Sequence, residues 1–309
     1  MRRRNQGAVL LLVLAIVALL SALAVEIASR ASADHLRATR GGQDATFRRL
    51  FDSGAEVARG LLAETSPPSV THWGQPWNRP LAFTLGKGES AELRLADESA
   101  KINIARAISV PEEAPAIRDS VRRLFEYLAR HEPKNGRDWM ALGEQVLRRL
   151  STRIPLLTLD GLRELDIEIP LVFGVEGLSR YLTCFGDGKI NLNTAPRAVL
   201  ASLDPEFDEA MVERIAAYRG GREGEAGPVK VFVEPQDLML VDGIVNRSVG
   251  EDGTLRVDRN LYEKVKGLVV VRSACFSARI EAASGARRRQ AWGFWKPDGS
   301  RLGFEEVLR

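Results

Sequence analysis

A long apolar run near the N-terminus limits what this chain of 309 residues can fold into. Residues 8–25 are apolar except for Ser21, arginines at 2–4 precede them, and Glu26 follows. As an α-helix the run would be about 27 Å long, close to the thickness of the hydrocarbon core of a bilayer. Because basic flanks stay in the cytoplasm, we expect 8–25 to form one transmembrane helix, with everything after Glu26 in the periplasm.

Three processing routes fit this segment: removal as a secretory signal, retention as a signal anchor, or cleavage of a prepilin-type leader ahead of the apolar run. The motif Ala22-Leu23-Ala24 resembles an ordinary signal-peptidase site and supports removal. Gly7 supports the prepilin route, because it lies between the basic leader and Ala8, and a prepilin peptidase cuts after such a glycine. The apolar helix then stays on the mature protein.

The pattern after the apolar run favours the prepilin route. No proline occurs from Glu26 to Ser66. Apolar or small residues recur at helical spacing at Phe47, Leu50, Phe51, Gly54, Val57, Ala58 and Leu61. We predict one helix over residues 8–64, with Gly41-Gly42 as a bend or local break. Its first half would lie in lipid and its second half would pack on a folded body, an arrangement that a secreted enzyme does not need.

The charge of the chain argues against a nucleic-acid partner. The net charge of +3 equals the charge of the leader arginines, so residues 8–309 are formally neutral. Four carboxylates also lie between Asp204 and Glu209, in a segment that reads as a helix-hairpin-helix, where they would repel a phosphate backbone. We therefore expect no binding to DNA or RNA.

The part after Pro68 alternates between β and helical patterns. Short strands are predicted within 71–95, two amphipathic helices are marked by apolar residues at 117–128 and 139–150, and a helical hairpin is predicted at 156–173. A closing β-hairpin is predicted from 268–283 and 287–296 through Ser284-Gly285-Ala286.

A weak internal repeat brackets the helical region. Lys101-Ile102-Asn103-Ile104 matches Lys189-Ile190-Asn191-Leu192, and each phrase ends a β-like stretch and opens a helical one. In the second copy we expect Asn193 or Thr194 to cap a helix that Pro196 begins.

The sequence offers no recognisable catalytic motif, and we expect no enzymatic activity. His35, His72 and His131 are scattered, without carboxylates or cysteines at metal-ligand spacing. The acidic run at 251–253, with Asp258 nearby, has two readings, a Ca²⁺ loop or a solvated turn. Its spacing departs from an EF-hand, so neither metal ligands nor a cofactor is predicted.

The chain has two cysteines, Cys184 and Cys275. One reading is a disulfide, which an oxidising periplasm would allow. The other is two separately buried thiols that behave as small apolar side chains.

These features together resemble one family, the K-type minor pseudopilin of type II secretion (general secretion pathway protein K). The resemblance rests on Gly7 before Ala8, the long first helix, the phrase from Lys189 to Pro196, and residues 232–240. It implies an inner-membrane protein with a periplasmic body at the tip of a short pseudopilus. The implied partners are the I- and J-type minor pseudopilins, the inner-membrane secretion platform and a prepilin peptidase. The family's acidic segment is reduced to Asp138-Trp139-Met140, so calcium binding is not carried over.

The implied fold is α+β: a long N-terminal membrane helix and a pilin-like body with an antiparallel sheet, interrupted by a helical domain with helix-hairpin-helix-like elements. The predicted segments are a leader (1–7), the long helix (8–64), the first part of the body (65–104), a helical insertion (105–184), a helix-hairpin-helix-like segment (185–245) and a C-terminal β segment (246–309).

Leu12 occupies the fifth position after the expected cut, where most pilins carry a glutamate that pairs with the free amine of a neighbour. A lone charge at mid-membrane costs about 2.5–3.5 kcal/mol, and that pairing would offset the cost. Leu12 cannot form this pair. A plain apolar substitution and a subunit with no neighbour ahead of it both fit this residue.

Two other functions fit parts of the sequence. A minor pilin of a type IV pilus or competence system would share the leader and long helix without requiring the helical insertion. A periplasmic binding protein with an uncleaved signal anchor would share only the apolar run.

Gly7→Val is expected to block processing, because the peptidase must accept an extended junction without a side chain at the membrane surface. Immunoblotting of cells that contain the peptidase would show only the precursor, and N-terminal sequencing of the unchanged protein would begin at Ala8. Normal-sized mature Gly7→Val protein would contradict the leader assignment, as would a mature chain that begins at Val25.

Overall fold

A computed structural model describes residues 26, 29, 30, 42, 44–64, 69–132, 138–152, 154–165, 167, 172, 177–220, 230–249 and 255–307. The predicted leader and the apolar run 8–25 lie outside these residues. Within the part that is described, no helix combines the length and apolarity needed to cross a membrane.

The described chain combines helices with mostly antiparallel strands. The helices are α1 (44–64), α2 (Arg106–Ser109), α3 (Ala114–His131), α4 (Trp139–Leu150), α5 (Arg197–Ala201), α6 (Glu209–Arg219) and α7 (Leu261–Val265). The strands are β1 (Leu81–Gly86), β2 (Glu89–Asp97), β3 (Ile102–Asn103), β4 (Leu182–Thr183), β5 (Ile190–Asn191), β6 (Val245–Val249), β7 (Leu255–Asn260), β8 (Val269–Val270), β9 (Phe276–Ser284), β10 (Arg287–Trp295) and β11 (Arg301–Val307). Short 3-10 turns occupy Pro76–Asn78, Glu98–Ala100, Leu159–Leu165, Leu178–Arg180 and Pro235–Leu240.

A five-stranded antiparallel sheet in the order β1-β2-β9-β10-β11 forms the body. The predicted antiparallel sheet and α+β class are confirmed. Two-residue loops close the hairpins β1–β2 and β9–β10, and Gly88 (φ 78°) and Gly285 (φ 59°) supply the left-handed backbone that such loops require. The closing hairpin was predicted to begin at 268. It begins at Phe276, because 269–270 pairs in parallel with β5 instead.

Helix α1 covers one face of this sheet. Its predicted apolar stripe is confirmed: Phe47, Leu50 and Ala58 are fully buried and pack with sheet residues such as Leu93 and Ile280. Strand residues alternate between faces. The buried apolar residues of β2 and β9 that point at the helix are Ala91, Leu93, Leu95, Ala278, Ile280 and Ala282. Burial of this stripe against the sheet forms the first of two hydrophobic cores.

The second core belongs to the segment between the end of β2 at Asp97 and the start of β9 at Phe276. The predicted helices at 117–128 and 139–150 are confirmed as α3 and α4, which pack against each other, with the rings of Phe125 and Trp139 6.4 Å apart. Leu192, Ile215 and Phe232 extend the same cluster.

The helical hairpin predicted at 156–173 lies partly outside the described residues. Those that are described include a 3-10 helix at Leu159–Leu165 and helical backbone at Val172. Residues 231–233 have no regular secondary structure, and the backbone of Phe232 bonds to the side chain of Asn193.

The start of α1 and the inserted segment lie at opposite ends of the sheet. Asp44, at the start of α1, accepts a 2.5 Å hydrogen bond from Arg289 beside the β9–β10 loop. Gly299, in the β10–β11 loop at the other end, lies against the backbone of Arg59 in the last turns of α1. Strand β2 runs from the Asp44 end to the other end, where the insertion leaves the sheet.

Gly54→Val is expected to lower the free energy of unfolding by about 1–3 kcal/mol through overpacking. A Cβ at Gly54 would lie 2.8 Å from Cδ1 and 3.1 Å from Cγ1 of the buried Ile280. Gly60 in the same helix is the matched control, because it is exposed and a Cβ there meets nothing within 4 Å.

Both variants can be compared by urea unfolding of the full chain in detergent, followed by tryptophan fluorescence. We expect Gly60→Val to match the unchanged protein or exceed it slightly, because Gly is the poorer helix former. Equal losses in the two variants would contradict the close approach of α1 to the sheet at Gly54.

Candidate functional site at the junction of sheet and insertion

The two Lys-Ile-Asn phrases fold in the same way. Each forms a two-residue strand in a parallel pair, β3 with β4 and β5 with β8. In each, the side-chain Oδ1 of the asparagine accepts a hydrogen bond from the backbone N–H two residues later. Ala105 N–H donates to Asn103 at 3.1 Å, and Asn193 N–H donates to Asn191 at 3.0 Å. A short helix follows both phrases, so the weak sequence repeat is a structural repeat.

The carboxylate of Asp97, the last residue of β2, joins the sheet to the second phrase. Its Oδ2 accepts bonds from Asn191 Nδ2 (2.9 Å) and Thr194 Oγ1 (2.5 Å), and its Oδ1 accepts one from the Ser99 N–H (2.8 Å). The side chain is buried. Burial raises the pKa of the Asp97 carboxyl, and the hydrogen bonds from Ser273, Thr194 and Asn191 oppose that shift.

Asn191 extends this contact to two further segments. Its Nδ2 group also donates to the carbonyl of Thr71 (3.1 Å) and to Ser273 Oγ (3.2 Å), and the Ser273 N–H donates to Thr71 Oγ1 (3.1 Å). Residues far apart in sequence therefore converge on one fully buried amide.

A buried ion pair lies one residue further along. Glu98 bonds to Lys101 and to Thr183, and it also accepts a 2.6 Å bond from Ser277 Oγ on β9. Its partners come from the first phrase, the strand paired with that phrase, and the sheet. The carboxylate is thus surrounded by donors, as a buried charge requires.

Asn193 and Thr194 do not cap α5, so that prediction was wrong. The residue before α5 is Pro196, and it makes no side-chain capping bond. Asn193 instead exchanges two hydrogen bonds with the backbone of Phe232, at 2.9 and 2.8 Å, and Thr194 donates to Asp97. These buried partners compete successfully with the helix end.

Arg219, at the end of α6, fixes the backbone after the second phrase. Its guanidinium donates to the carbonyls of Leu192 (2.6 Å) and Ala195 (2.7 Å) and stacks over the Trp73 ring at 4.5 Å. Burial lowers the pKa of this guanidinium, as expected for a cation removed from water.

A cleft of about 520 Å³ opens beside this network, between the insertion and the face of the sheet opposite α1. Trp73, Trp77, Trp292, Arg94, Arg180, Arg279, Glu281, Asp97, Lys101 and Thr194 are among its lining residues. The polar groups at its floor are engaged by one another. Aromatic and arginine side chains at a half-open surface are typical of protein contacts.

Most of the residues predicted as sites are not part of this junction. Gly7, Ala8 and Leu12 lie outside the described residues, as does the acidic run at 251–253. Among the described residues no group of three or more His, Cys, Asp or Glu side chains is placed to hold a metal ion.

Cys184 and Cys275 are free thiols in the structure. Cys275 is buried and Cys184 partly so. Burial raises the pKa of each thiol to about 12, which makes both unreactive at neutral pH.

Comparison with known proteins supports the fold. The structure is similar to a chain in the crystal structure of the GspK-GspI-GspJ complex from the enterotoxigenic Escherichia coli type 2 secretion system, with a TM-score of 0.58 and 17% sequence identity. The similarity covers 88% of this chain and 99% of that chain. No protein-family model and no curated protein matches the sequence. The chain therefore has a GspK-like pseudopilin fold.

Asp97→Ala is expected to lower the free energy of unfolding by about 2–4 kcal/mol, because it removes the buried acceptor of the Thr194 hydroxyl and the Ser99 N–H and one of the three acceptors around Asn191 Nδ2. Asp242→Ala is the control: Asp242 is exposed, and its loss should change stability by less than about 0.5 kcal/mol. Urea unfolding gives both values. Similar values for the two variants would show that Asp97 does not hold the junction.

Proposed function

We propose that this chain is a minor pseudopilin of a type II secretion system and that it caps the periplasmic end of the pseudopilus. One observation carries the proposal. A pilin-like helix and sheet are interrupted, at the end away from the start of α1, by a large inserted segment, in a fold that matches a chain of the GspK-GspI-GspJ complex over 88% of this chain.

The position of the insertion supports a capping role. In a fibre of such subunits the N-terminal helices bundle together, so each body stacks on the one below it along the helix direction. A subunit added above would have to occupy the end at which residues 98–275 leave and rejoin the sheet. That segment has its own core and cannot collapse out of the way.

The apolar residue Leu12 is consistent with a capping position. A subunit that needs no pairing with a neighbour ahead of it can dispense with the glutamate usual at the fifth mature position. We propose an inner-membrane anchor formed by residues 8–25, a leader cut after Gly7, and a body in the periplasm.

The proposed partners are other minor pseudopilins of the I and J types, together with the inner-membrane platform and a prepilin peptidase. The cleft lined by Trp73, Trp77 and Trp292 is a surface of suitable size and chemistry for such a contact. The role is structural, without a cofactor, and the carboxylates of the junction are held by donors in a purely structural network.

Labelling of the body is expected to place about one copy at the tip of each pseudopilus, because the insertion blocks further addition. Immunogold counting on purified pseudopili would measure this, with the major subunit labelled in parallel as the control for shaft staining. We also expect that Leu12→Glu is not needed for incorporation. Label distributed along the shaft would contradict the capping role.

A further inference from the structure

Three segments meet at the end of the sheet where α1 begins, and we call them together the basic end: residues 44–49, 86–90 and 284–289. The two hairpin loops touch, since the Gly285 N–H donates to the Gly88 carbonyl at 3.0 Å. Helix α1 is tied to the second loop by the bond of Arg289 to Asp44, and the Arg289 guanidinium lies over the Phe47 ring at 4.8 Å.

The basic end carries a surplus of positive charge. Its three segments contain six basic side chains and two acidic ones. Each acid already faces an arginine: Asp44 pairs with Arg289, and Glu89 lies 3.9 Å from Arg49. The surplus is exposed, on Arg48, Lys87, Arg287 and Arg288.

The shape of this end suits a flat surface rather than a small ligand. Lys87, Arg287 and Arg288 project from two tight loops and their flanking strand residues, which form a rim beside the first turns of α1. A guanidinium group can bind two phosphate oxygens at once, and it is more weakly hydrated than an ammonium group. A layer of phosphate headgroups would offer such oxygens to all of the exposed cations at once.

The chain itself keeps such a surface within reach. Eighteen residues separate Val25, the end of the apolar run, from Asp44. They span at most about 60 Å when fully extended. A bilayer that holds residues 8–25 is therefore always available to the basic end at a high effective concentration.

We propose that, before the subunit enters a pseudopilus, the basic end rests on anionic phospholipid headgroups of the membrane that anchors it. The inference depends on the membrane anchor of the proposed function. It orients the free subunit with the insertion pointing away from the bilayer, ready to contact other subunits. Assembly then lifts the basic end from the lipid.

An acidic surface on another subunit is the competing occupant. The lipid is favoured because it reaches the basic end without a binding partner, through the tether alone. The test therefore uses the full chain without partners first.

The experiment is hydrogen–deuterium exchange on the full chain in nanodiscs of phosphatidylcholine alone or mixed with phosphatidylglycerol. We expect slower exchange in peptides that cover 84–90 and 284–289 when the anionic lipid is present. Salt near 1 M, where the Debye length is about 3 Å, should remove this protection.

The variant R287Q/R288Q should weaken the protection by about fivefold for each charge removed. K296Q/R301Q removes the same charge from the opposite end of the sheet, where both side chains are exposed, and should leave the protection unchanged. Millimolar inorganic phosphate with phosphatidylcholine nanodiscs distinguishes a lipid surface from a site for free phosphate.

Several results would overturn the inference. These are protection that does not depend on phosphatidylglycerol, equal loss in both double variants, full protection by free phosphate, or protection that arises only when I- and J-type partners are added. Failure of the proposed function is a separate result: a chain that does not co-purify with nanodiscs at all lacks the anchor. A chain that co-purifies but shows no lipid dependence loses only the present inference.

Discussion

The buried carboxylate of Asp97 is the contact on which the arrangement of the two cores depends. The sheet and α1 share one hydrophobic core, and the inserted segment has another. Asp97 ends β2 and accepts bonds from Asn191 and Thr194, which belong to the insertion. Because its acceptor directions are fixed by three donors, the insertion is held at one angle to the sheet.

Polar contacts suit this junction better than apolar ones. An apolar interface tolerates sliding, whereas a buried carboxylate or amide is costly in any arrangement that leaves it unpaired. Glu98 with Lys101, and Arg219 on its two carbonyls, add the same kind of constraint. Buried charges of this type contribute little net stability. Their effect here is to define a single geometry.

That geometry gives the two ends of the body different roles. The end where α1 begins carries exposed arginines, and along the sequence it is the end nearer to the apolar run. The other end carries the insertion and the cleft beside the junction. The proposed membrane contact rests on the first end, and the proposed terminal position in a fibre rests on the second. Both properties follow from where β2 starts and where it stops.

Local sequence by itself determined the parts that short-range physics controls. The spacing of Phe47, Leu50 and Phe51 predicted the buried face of α1, the Ser284-Gly285-Ala286 turn predicted the closing hairpin, and the repeated Lys-Ile-Asn phrase predicted two similar strand-to-helix transitions. Each of these depends on side-chain period or on turn chemistry within a few residues.

Tertiary structure alone decided the partners of the buried polar groups. Asn193 and Thr194 both have side chains that can cap a helix. Asn193 instead bonds to the backbone of Phe232, and Thr194 bonds to Asp97, which precedes it by 97 residues. Tertiary structure also placed the arginines at 287–289 beside α1, where Arg289 bonds to Asp44, 245 residues earlier in the sequence. A buried donor bonds to whichever acceptor the fold brings near, and local sequence does not encode that proximity.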